Sequence, residues 1–253
     1  MKLGRWLNIS DLQLIKQIIP SLTFKFPYSA EDYGKKLYLE NYHCHKDFSN
    51  TSTPDCGELM NAYVDRIHEF GTKCLYSGEH GSQGNQFQVY KVAENENLKY
   101  IHSSEVYWVK DRKEKDRANC HMIIVAKNAE GRGDINFALS MANYYKPRID
   151  LELLFNIPKD NVIVTSACVA GWNYEDAEDI WLKIHDYFGE NFFLEVQYHN
   201  TDKQKELNKK ILQIAKKYNI QIICGLDSHY VKEENSIKRD QILKYKNINY
   251  PDE

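Results

Sequence analysis

Short apolar runs alternate with longer amphipathic stretches along the chain from residue 36 onward. The short runs are rich in β-branched and aromatic residues, as buried strands are. They are KLYLENY (36–42), TKCLYSG (72–78), LKYIHS (98–103), HMIIVAK (121–127), NVIVTS (161–166), FFLEVQ (192–197) and IQIICG (220–225). This repeated strand–helix alternation predicts an α/β fold with a parallel sheet and covering helices, either a closed barrel or a doubly wound sheet.

The stretches between these runs have the period of helices. Helices are predicted over 57–71, 84–97, 134–145, 174–189 and 201–219. In the last of them one apolar face is formed by Leu207, Ile211, Ile214 and Tyr218. Residues that commonly cap a helix at its carboxyl end follow three of these stretches, at Gly71, Gly189 and Asn219.

The same pattern divides the chain into one main domain and two flanking segments. We predict an N-terminal extension at residues 1–36 and the main domain at residues 37–235. A charged C-terminal tail with one further helical stretch is predicted at residues 236–253. A chain of 253 residues has the length of a single α/β barrel. Its 42% hydrophobic and 27% charged residues are typical of a globular protein with a core.

Charge and cysteine usage narrow the class of protein. The net charge is 33 − 36 = −3, so no overall positive field attracts nucleic acid. The basic residues between Lys110 and Arg117 alternate with acidic ones, which indicates a solvated loop. The first residues lack the apolar stretch of a signal peptide, and no run is long enough to span a membrane. Six cysteines without a close CxxC pair do not suggest a secreted disulfide framework. We therefore expect a cytoplasmic protein with no membrane partner.

Residues of metal-binding type follow six of the predicted strands. They are His43, His45, Glu79, His80, Glu105, Cys168, His199, Asp227 and His229. In parallel α/β folds chemistry gathers at the carboxyl ends of the strands. Each residue alone is ordinary in a loop, but six strand ends together predict a metal site. Imidazole, carboxylate and thiolate ligands favour Zn²⁺, Mn²⁺ or Fe over Mg²⁺ or Ca²⁺.

Two short motifs strengthen this prediction. HCH at 43–45 and DSH at 227–229 each place two possible ligands two residues apart. On an extended segment, residues i and i+2 point to the same side. Both members of each pair can therefore face one ion.

Longer motifs carry a resemblance to a known family. They are YHCHKDFS (42–49), EHG (79–81), SSEVYW (103–108), HMIIVAKNAEG (121–131), YYKPRID (144–150), TSACVAG (165–171), FFLEVQYHN (192–200) and LDSHYV (226–231). From Tyr42 to Tyr230 the chain resembles the PHP (polymerase and histidinol phosphatase) domain. It is most similar to the amino-terminal PHP module of bacterial DNA polymerase III alpha subunits.

The resemblance implies a distorted (βα)7 TIM-like barrel with two to three divalent metal ions, Zn, Mn or Fe. The implied ligands are His43, His45, Asp55, His80, Glu105, His121, Cys168, Asp227 and His229. Asp55 lies later in the chain than the family spacing, so Asp47 remains an alternative. His121 rests on the resemblance alone, because it precedes its apolar run. Glu79 stands where polymerase sequences commonly carry aspartate.

The function implied is metal-dependent phosphoester hydrolysis on nucleic acid, of the 3′–5′ exonuclease type, acting on single strands or 3′ ends. Nothing after Tyr230 resembles polymerase domains, so we expect a free-standing PHP protein, a split-gene component or an excised domain. One alternative is a histidinol-phosphatase-like small-molecule phosphomonoesterase. Another is a non-catalytic, metal-stabilised scaffold that docks a polymerase or replisome partner.

The resemblance and the residue chemistry together suggest roles for individual side chains. His43, His45, Asp227 and His229 are the predicted catalytic centre, and His199 either contacts phosphate, protonates the leaving group or is a structural loop histidine. Arg148 either contacts a substrate phosphate, since guanidinium matches phosphate oxygens, or pairs with Asp150. Tyr107 and Trp108 either stack a base or pack in the core.

Overall fold

A computed structural model describes residues 40–51, 55–115, 118, 120–142 and 148–247. The strands there are β1 (Cys74–Tyr76), β2 (Glu79–His80), β3 (Lys99–Ile101), β4 (Ser103–Trp108), β5 (Cys120–Ala126), β6 (Arg148–Ile149), β7 (Val162–Thr165), β8 (Phe192–Gln197) and β9 (Gln221–Gly225). The α-helices are α1 (Met60–Phe70), α2 (Gln86–Asn95), α3 (Ala129–Met141), α4 (Leu151–Leu154), α5 (Ala177–Phe188), α6 (Asp202–Tyr218) and α7 (Ser236–Tyr245). Every apolar run predicted as a strand after residue 70 forms one, whereas the run 36–42 is described only from residue 40.

The main sheet is mixed, and this corrects the prediction of a parallel sheet. Its strand order is β2-β4-β5-β7-β8-β9, with β6 paired to β4, and a separate parallel pair joins β1 to β3. Strand β5 runs antiparallel to both β4 and β7, while the other pairs are parallel. The loop 109–119 carries no helix among its described residues. A connection without a crossover helix returns the chain antiparallel to the strand it leaves.

An extended segment at 41–45 brings the two edges of this sheet together, so that the sheet curls into a distorted barrel. On one side, Cys44 forms a parallel bridge with Ser228, just after β9. The N–H of His45 donates to the carbonyl oxygen of Ser228 at 2.8 Å. On the other side, the N–H of Lys46 donates to the Glu79 carboxylate in β2 at 3.0 Å.

The largest apolar cluster lies between the sheet and helices α3, α5 and α6. Helix α5 buries one face, at Ile180, Trp181, Ile184 and Phe188, a spacing that keeps these residues on one side of a helix. The predicted apolar face of α6 is buried at Ile211 and Ile214, but Tyr218 in its last position is 36% exposed.

Local capping sets the helix ends. Gly71 and Asn219 adopt the left-handed conformation just after α1 and α6, and Gly189 with φ 57° follows α5, as predicted. Helix α3 begins five residues before the predicted start because the Asn128 side chain accepts a hydrogen bond from the Gly131 N–H at 2.7 Å.

The predicted flanking segments are described only in part. The extension 1–36 lies outside the described residues, as do residues 248–253 of the tail. Helix α7 packs close to Gly57, where an added Cβ would lie 3.1 Å from the Lys238 Cβ. Within the part of the chain that the structure covers, no helix has the length and apolar character needed to cross a membrane.

Candidate metal centre

The structure brings all nine predicted ligands into one continuous cluster. They are His43 and His45 on the extended segment, Asp55 before α1, His80 in β2, Glu105 in β4, His121 in β5, Cys168 after β7, and Asp227 and His229 after β9. Each lies within 4 Å of at least one other member. Most members are at least 90% buried. The strand ends therefore meet, as the sequence predicts.

Glu105 occupies the middle of the cluster and is fully buried. Its Oε1 lies 3.2 Å from His43 Nε2 and 2.9 Å from His121 Nδ1. Its Oε2 contacts His80 Nδ1 and lies 3.5 Å from His45 Nε2. One carboxylate thus faces four imidazoles.

The antiparallel direction of β5 explains His121, which strand-end reasoning missed. His121 is the second residue of β5 and pairs in register with Tyr107 of β4. Because β5 runs against its neighbours, its amino end meets their carboxyl ends. His121 therefore reaches Glu105 and lies 3.4 Å from the Cys168 sulfur.

A tight turn positions Cys168. The turn Val169–Trp172 follows it directly, and the Gly171 N–H donates to the Cys168 carbonyl at 2.9 Å. A Cβ at Gly171 would lie 2.2 Å from the Ser166 carbonyl oxygen. Only glycine leaves the room that this turn needs.

Asp227 forms the other acidic point of the cluster. Its Oδ1 lies 3.1 Å from both His43 Nε2 and His45 Nε2, and 3.8 Å from His229 Nδ1. Its backbone has φ 47°, a left-handed conformation that aspartate tolerates better than most residues. This backbone turn directs Asp227 and His229 to the same side.

The structure places Asp55, and not Asp47, against the cluster. Asp55 is 2% exposed, and its carboxylate oxygens lie 3.7 Å from His80 Nε2 and 3.2 Å from His229 Nε2. Asp47 begins the 3₁₀ turn Asp47–Thr51 and is half-buried.

Three overlapping sets of these side chains offer ligand atoms within 4.8 Å of one another. The sets are His45, His80 and His229; His43, His45, Glu105 and Asp227; and His80, Glu105 and His121. Shared members such as His45, His80 and Glu105 make the cluster suited to neighbouring ions. The donor set of imidazole and carboxylate suits a divalent metal ion.

Buried polar atoms in the cluster also fit a cation. Within the part of the chain that the structure describes, several buried side-chain atoms of the cluster have no hydrogen-bond partner: His43 Nε2, His80 Nδ1 and Nε2, His229 Nε2 and Glu105 Oε2. They approach one another without the alignment of a hydrogen bond. Orphaned buried atoms of this kind cost free energy unless something binds them, and divalent ions would satisfy these atoms and balance the carboxylate charges.

The pKa values of neighbouring side chains in the cluster are shifted in opposite directions. Burial, reinforced by the neighbouring His80, lowers the pKa of His45 to about 3. Burial opposes protonation of His80 too, but the negative charge of Glu105 and contact with Asp55 raise its pKa to about 10. Burial would raise the pKa of Glu105, yet the surrounding histidines hold it well below its usual range. The acids therefore stand ionised, the form that binds metal.

Three further buried charged residues lie next to the cluster; Glu79 was named above as a residue that follows a strand, whereas Glu195 and Lys46 were missed from the sequence. Glu195 in β8 is 1% exposed and lies 2.7 Å from His43 Nδ1 through its Oε1. Lys46 and Glu79 are fully buried, with Nζ and Oε1 3.1 Å apart. Charged residues are seldom fully buried unless paired, so an acid inside the run FFLEVQ was the available signal for Glu195.

The remaining predicted residues lie near the cluster or in the core. His199 follows β8 in a loop and is half-buried, outside the three sets of clustered side chains. Arg148 is 6% exposed and pairs in register with Tyr107, whose ring centroid lies 5.2 Å from that of His121. Trp108 packs in the core, with its ring centroid 5.4 Å from that of Trp181.

Asp150, the neighbour considered above for Arg148, lies against another basic residue. Asp150 pairs with Arg112 at 2.6 Å. Lys110 and Lys113 also lie against acids, at 2.7 Å from Asp176 and 3.6 Å from Glu152. Ion pairing of these basic residues agrees with the prediction of a solvated loop.

Known proteins resemble this chain in the same region. Residues 41–199 match the family model of the PHP domain. DNA polymerase III subunit alpha of Aquifex aeolicus (strain VF5) is 31% identical over 216 residues, covering 76% of this chain and 18% of that protein. The same subunit of Treponema pallidum (strain Nichols) is 30% identical over 227 residues, covering 82% of this chain and 19% of that protein.

Solved structures match this chain at lower sequence identity. An amidohydrolase from Chromobacterium violaceum gives a TM-score of 0.48 at 14% identity, over 75% of this chain and 87% of that one. The chain spans less than a fifth of the length of the polymerase subunits it matches. Because the PHP domain model matches more than half of the residues, this chain belongs to the PHP domain family.

Proposed function

We propose that this chain is a metal-dependent phosphoesterase that acts on nucleic acid, with an activity of the 3′–5′ exonuclease type. The observation that carries the proposal is the convergence of nine side chains of metal-binding type in one buried cluster. Retaining three carboxylates, five imidazoles and a thiol in contact is costly unless cations use them.

The proposed ligands are the nine clustered residues, and the proposed ions are two to three of Zn, Mn or Fe. Three sets of donor atoms support more than one ion. When bound, such ions hold phosphate oxygens and lower the pKa of a coordinated water towards neutrality. His43, His45, Asp227 and His229 hold this centre together, since Asp227 lies within 4 Å of all three histidines.

Two residues outside the nine are proposed to act on the substrate. His199 lies in the loop after β8, half-buried, where an imidazole can contact phosphate or deliver a proton to the leaving oxygen. Arg148 is proposed to contact a substrate phosphate through its guanidinium. Its position beside Tyr107, whose ring packs against that of His121, supports this role.

The proposed substrate follows from the relatives. The matched proteins named above are DNA polymerase III alpha subunits, which favours a nucleic-acid end over a small phosphomonoester. The net charge of −3 means that the substrate would be attracted by the centre itself and not by the surface as a whole. A polymerase or another replication protein is the proposed partner.

One experiment separates the possible activities. The purified protein is incubated with Mn²⁺ or Zn²⁺ and either a 3′-labelled single strand or a chromogenic phosphomonoester. The His43→Ala/Asp227→Ala double variant is the control for contaminating enzymes. We expect release of mononucleotides from the 3′ end by the wild type and not by the double variant.

The other outcomes are equally informative. Turnover of the small ester alone would assign the chain to the phosphomonoesterase class. Bound metal without turnover of either substrate would favour the non-catalytic scaffold that docks a replication partner. Equal activity of the wild type and the double variant would overturn the role of the centre.

A further inference from the structure

Glu195 lies inside the barrel, on the middle of β8, where an acidic side chain is unusual. It is 1% exposed, and among the residues that the structure describes no lysine or arginine lies within ion-pair distance of it. Its Oε1 accepts from the Gln197 amide at 2.6 Å, and its Oε2 accepts from the Tyr42 hydroxyl. The side chain is therefore held firmly by neutral donors, yet its charge has no cationic residue to balance it.

The same carboxylate meets the first histidine of the cluster. Glu195 Oε1 lies 2.7 Å from His43 Nδ1. A carboxylate that is ionised can only accept a hydrogen bond, so this contact favours the His43 tautomer with the proton on Nδ1. In that tautomer the lone pair is on Nε2, which faces the opposite way, 3.1 Å from Asp227 Oδ1 and 3.2 Å from Glu105 Oε1.

The neighbouring strand leaves space for this contact. Gly225 ends β9 and pairs in register with Gln197. A Cβ at Gly225 would lie 2.1 Å from Glu195 Oε1 and 2.5 Å from its carboxyl carbon. Any other residue at 225 would push the carboxylate away from His43, so the glycine is needed for its small size.

We propose that Glu195 is a positioning residue for the metal centre, and that Gly225 supplies the space in which it acts. Glu195 fixes the tautomer and the ring orientation of His43 so that Nε2 is presented to an ion. Carboxylates that accept from a ligating histidine commonly raise its basicity and its affinity for metal. This inference rests on the proposed metal centre but does not depend on the substrate.

The test measures metal binding in the absence of any substrate. Four variants are compared with the wild type by competition against a chromogenic chelator for Zn²⁺ and by the visible absorption of bound Co²⁺. They are Glu195→Ala, Glu195→Gln, Gly225→Ala and, as the matched glycine control, Gly133→Ala, because a Cβ at Gly133 meets nothing within 4 Å. Circular dichroism of the metal-free proteins checks that each variant is folded.

We expect Glu195→Ala and Gly225→Ala to bind at least one ion about 10–100-fold more weakly, the loss that removal of such a hydrogen-bond partner causes in other sites. Glu195→Gln keeps the length and an acceptor oxygen, so its affinity should lie between those of Glu195→Ala and the wild type. Gly133→Ala should bind like the wild type. In the Zn²⁺-loaded wild type, long-range ¹H–¹⁵N spectra should show His43 protonated at Nδ1.

The result that overturns the inference is metal affinity in Glu195→Ala and Glu195→Gln equal to that of the wild type. If Glu195→Ala does not fold, the isosteric Glu195→Gln and the His43 spectrum still decide the question. Failure of the proposed function gives a different pattern, in which the wild type binds metal in a Glu195-dependent way but hydrolyses no phosphoester. A wild type that binds no divalent ion would overturn both.

Discussion

Replacing Lys46 with methionine removes one charge from an ion pair that lies directly behind the metal centre. Lys46 and Glu79 are both fully buried, and their Nζ and Oε1 atoms are 3.1 Å apart. The Glu79 carboxylate also accepts from the Ser49 hydroxyl at 2.6 Å and from the Asn85 amide at 2.8 Å. Methionine has nearly the length of lysine, so Lys46→Met removes the charge without opening a large cavity.

The expected cost follows from burial. Removing one partner of a buried pair leaves an uncompensated charge and typically costs about 3–5 kcal/mol. Because Glu79 keeps its other hydrogen bonds, we expect the lower end, about 3 kcal/mol. The exposed pair Lys91–Glu94, with side chains more than half exposed, provides the matched control. Lys91→Met should change the free energy of unfolding by less than about 1 kcal/mol.

Urea unfolding followed by circular dichroism measures this difference. The proteins are kept with a chelator, because a bound ion would add its own binding free energy to stability. With a slope of about 1–3 kcal/mol per molar urea, a loss of about 3 kcal/mol lowers the midpoint by about 1–3 M. The double variant Lys46→Met/Glu79→Gln should recover much of the loss, since it leaves no buried charge.

Two results would contradict this reasoning. One is a loss in Lys46→Met no larger than that in Lys91→Met. The other is a double variant less stable than Lys46→Met alone. Either would mean that water or another group reaches the Glu79 carboxylate and that the pair does not hold the segment behind His45.

Three further predictions concern single positions. Asp55→Asn should lower the metal bound per chain, measured by elemental analysis after dialysis, while Asp47→Asn should leave it unchanged; the reverse would make Asp47 the ligand. Gly171→Ala should lower the free energy of unfolding by about 1–3 kcal/mol through overpacking, and an unchanged urea midpoint would contradict the close approach seen at this turn. Asp150→Ala removes the cap of α4 and the partner of Arg112, and should cost about 1–2 kcal/mol at pH 7. Burial raises the pKa of Asp150, but hydrogen bonds from backbone N–H groups and the charge of Arg112 outweigh this effect and hold the pKa low. The stabilisation by Asp150 is therefore complete above the unfolded pKa of about 4 and is lost as the pH falls below it. A stability difference between Asp150→Ala and the wild type that grew in acid would refute the assignment.

Much of the centre could be predicted from the sequence because its motifs are local. HCH and DSH place ligands two residues apart on extended backbone, a geometry that holds wherever the segment lies. Helices α1, α2, α5 and α6 appear where the periodicity predicts them, because an amphipathic face and a capping residue act within a few residues of each other. The motifs of the PHP family, read in order, identified the family that the comparisons show.

Other features depend on contacts between distant residues, and only the tertiary structure decides them. Strand β5 pairs antiparallel with both β4 and β7, and this direction brings His121 to the centre. Asp55 lies against His229, from which it is separated by most of the domain. Glu195 meets His43 across 152 residues. The sequence by itself determines which residues are able to bind a metal and which local segments present them. The pairing of distant strands determines which of these residues meet, because the free energy of that pairing depends on the whole barrel and not on any one segment.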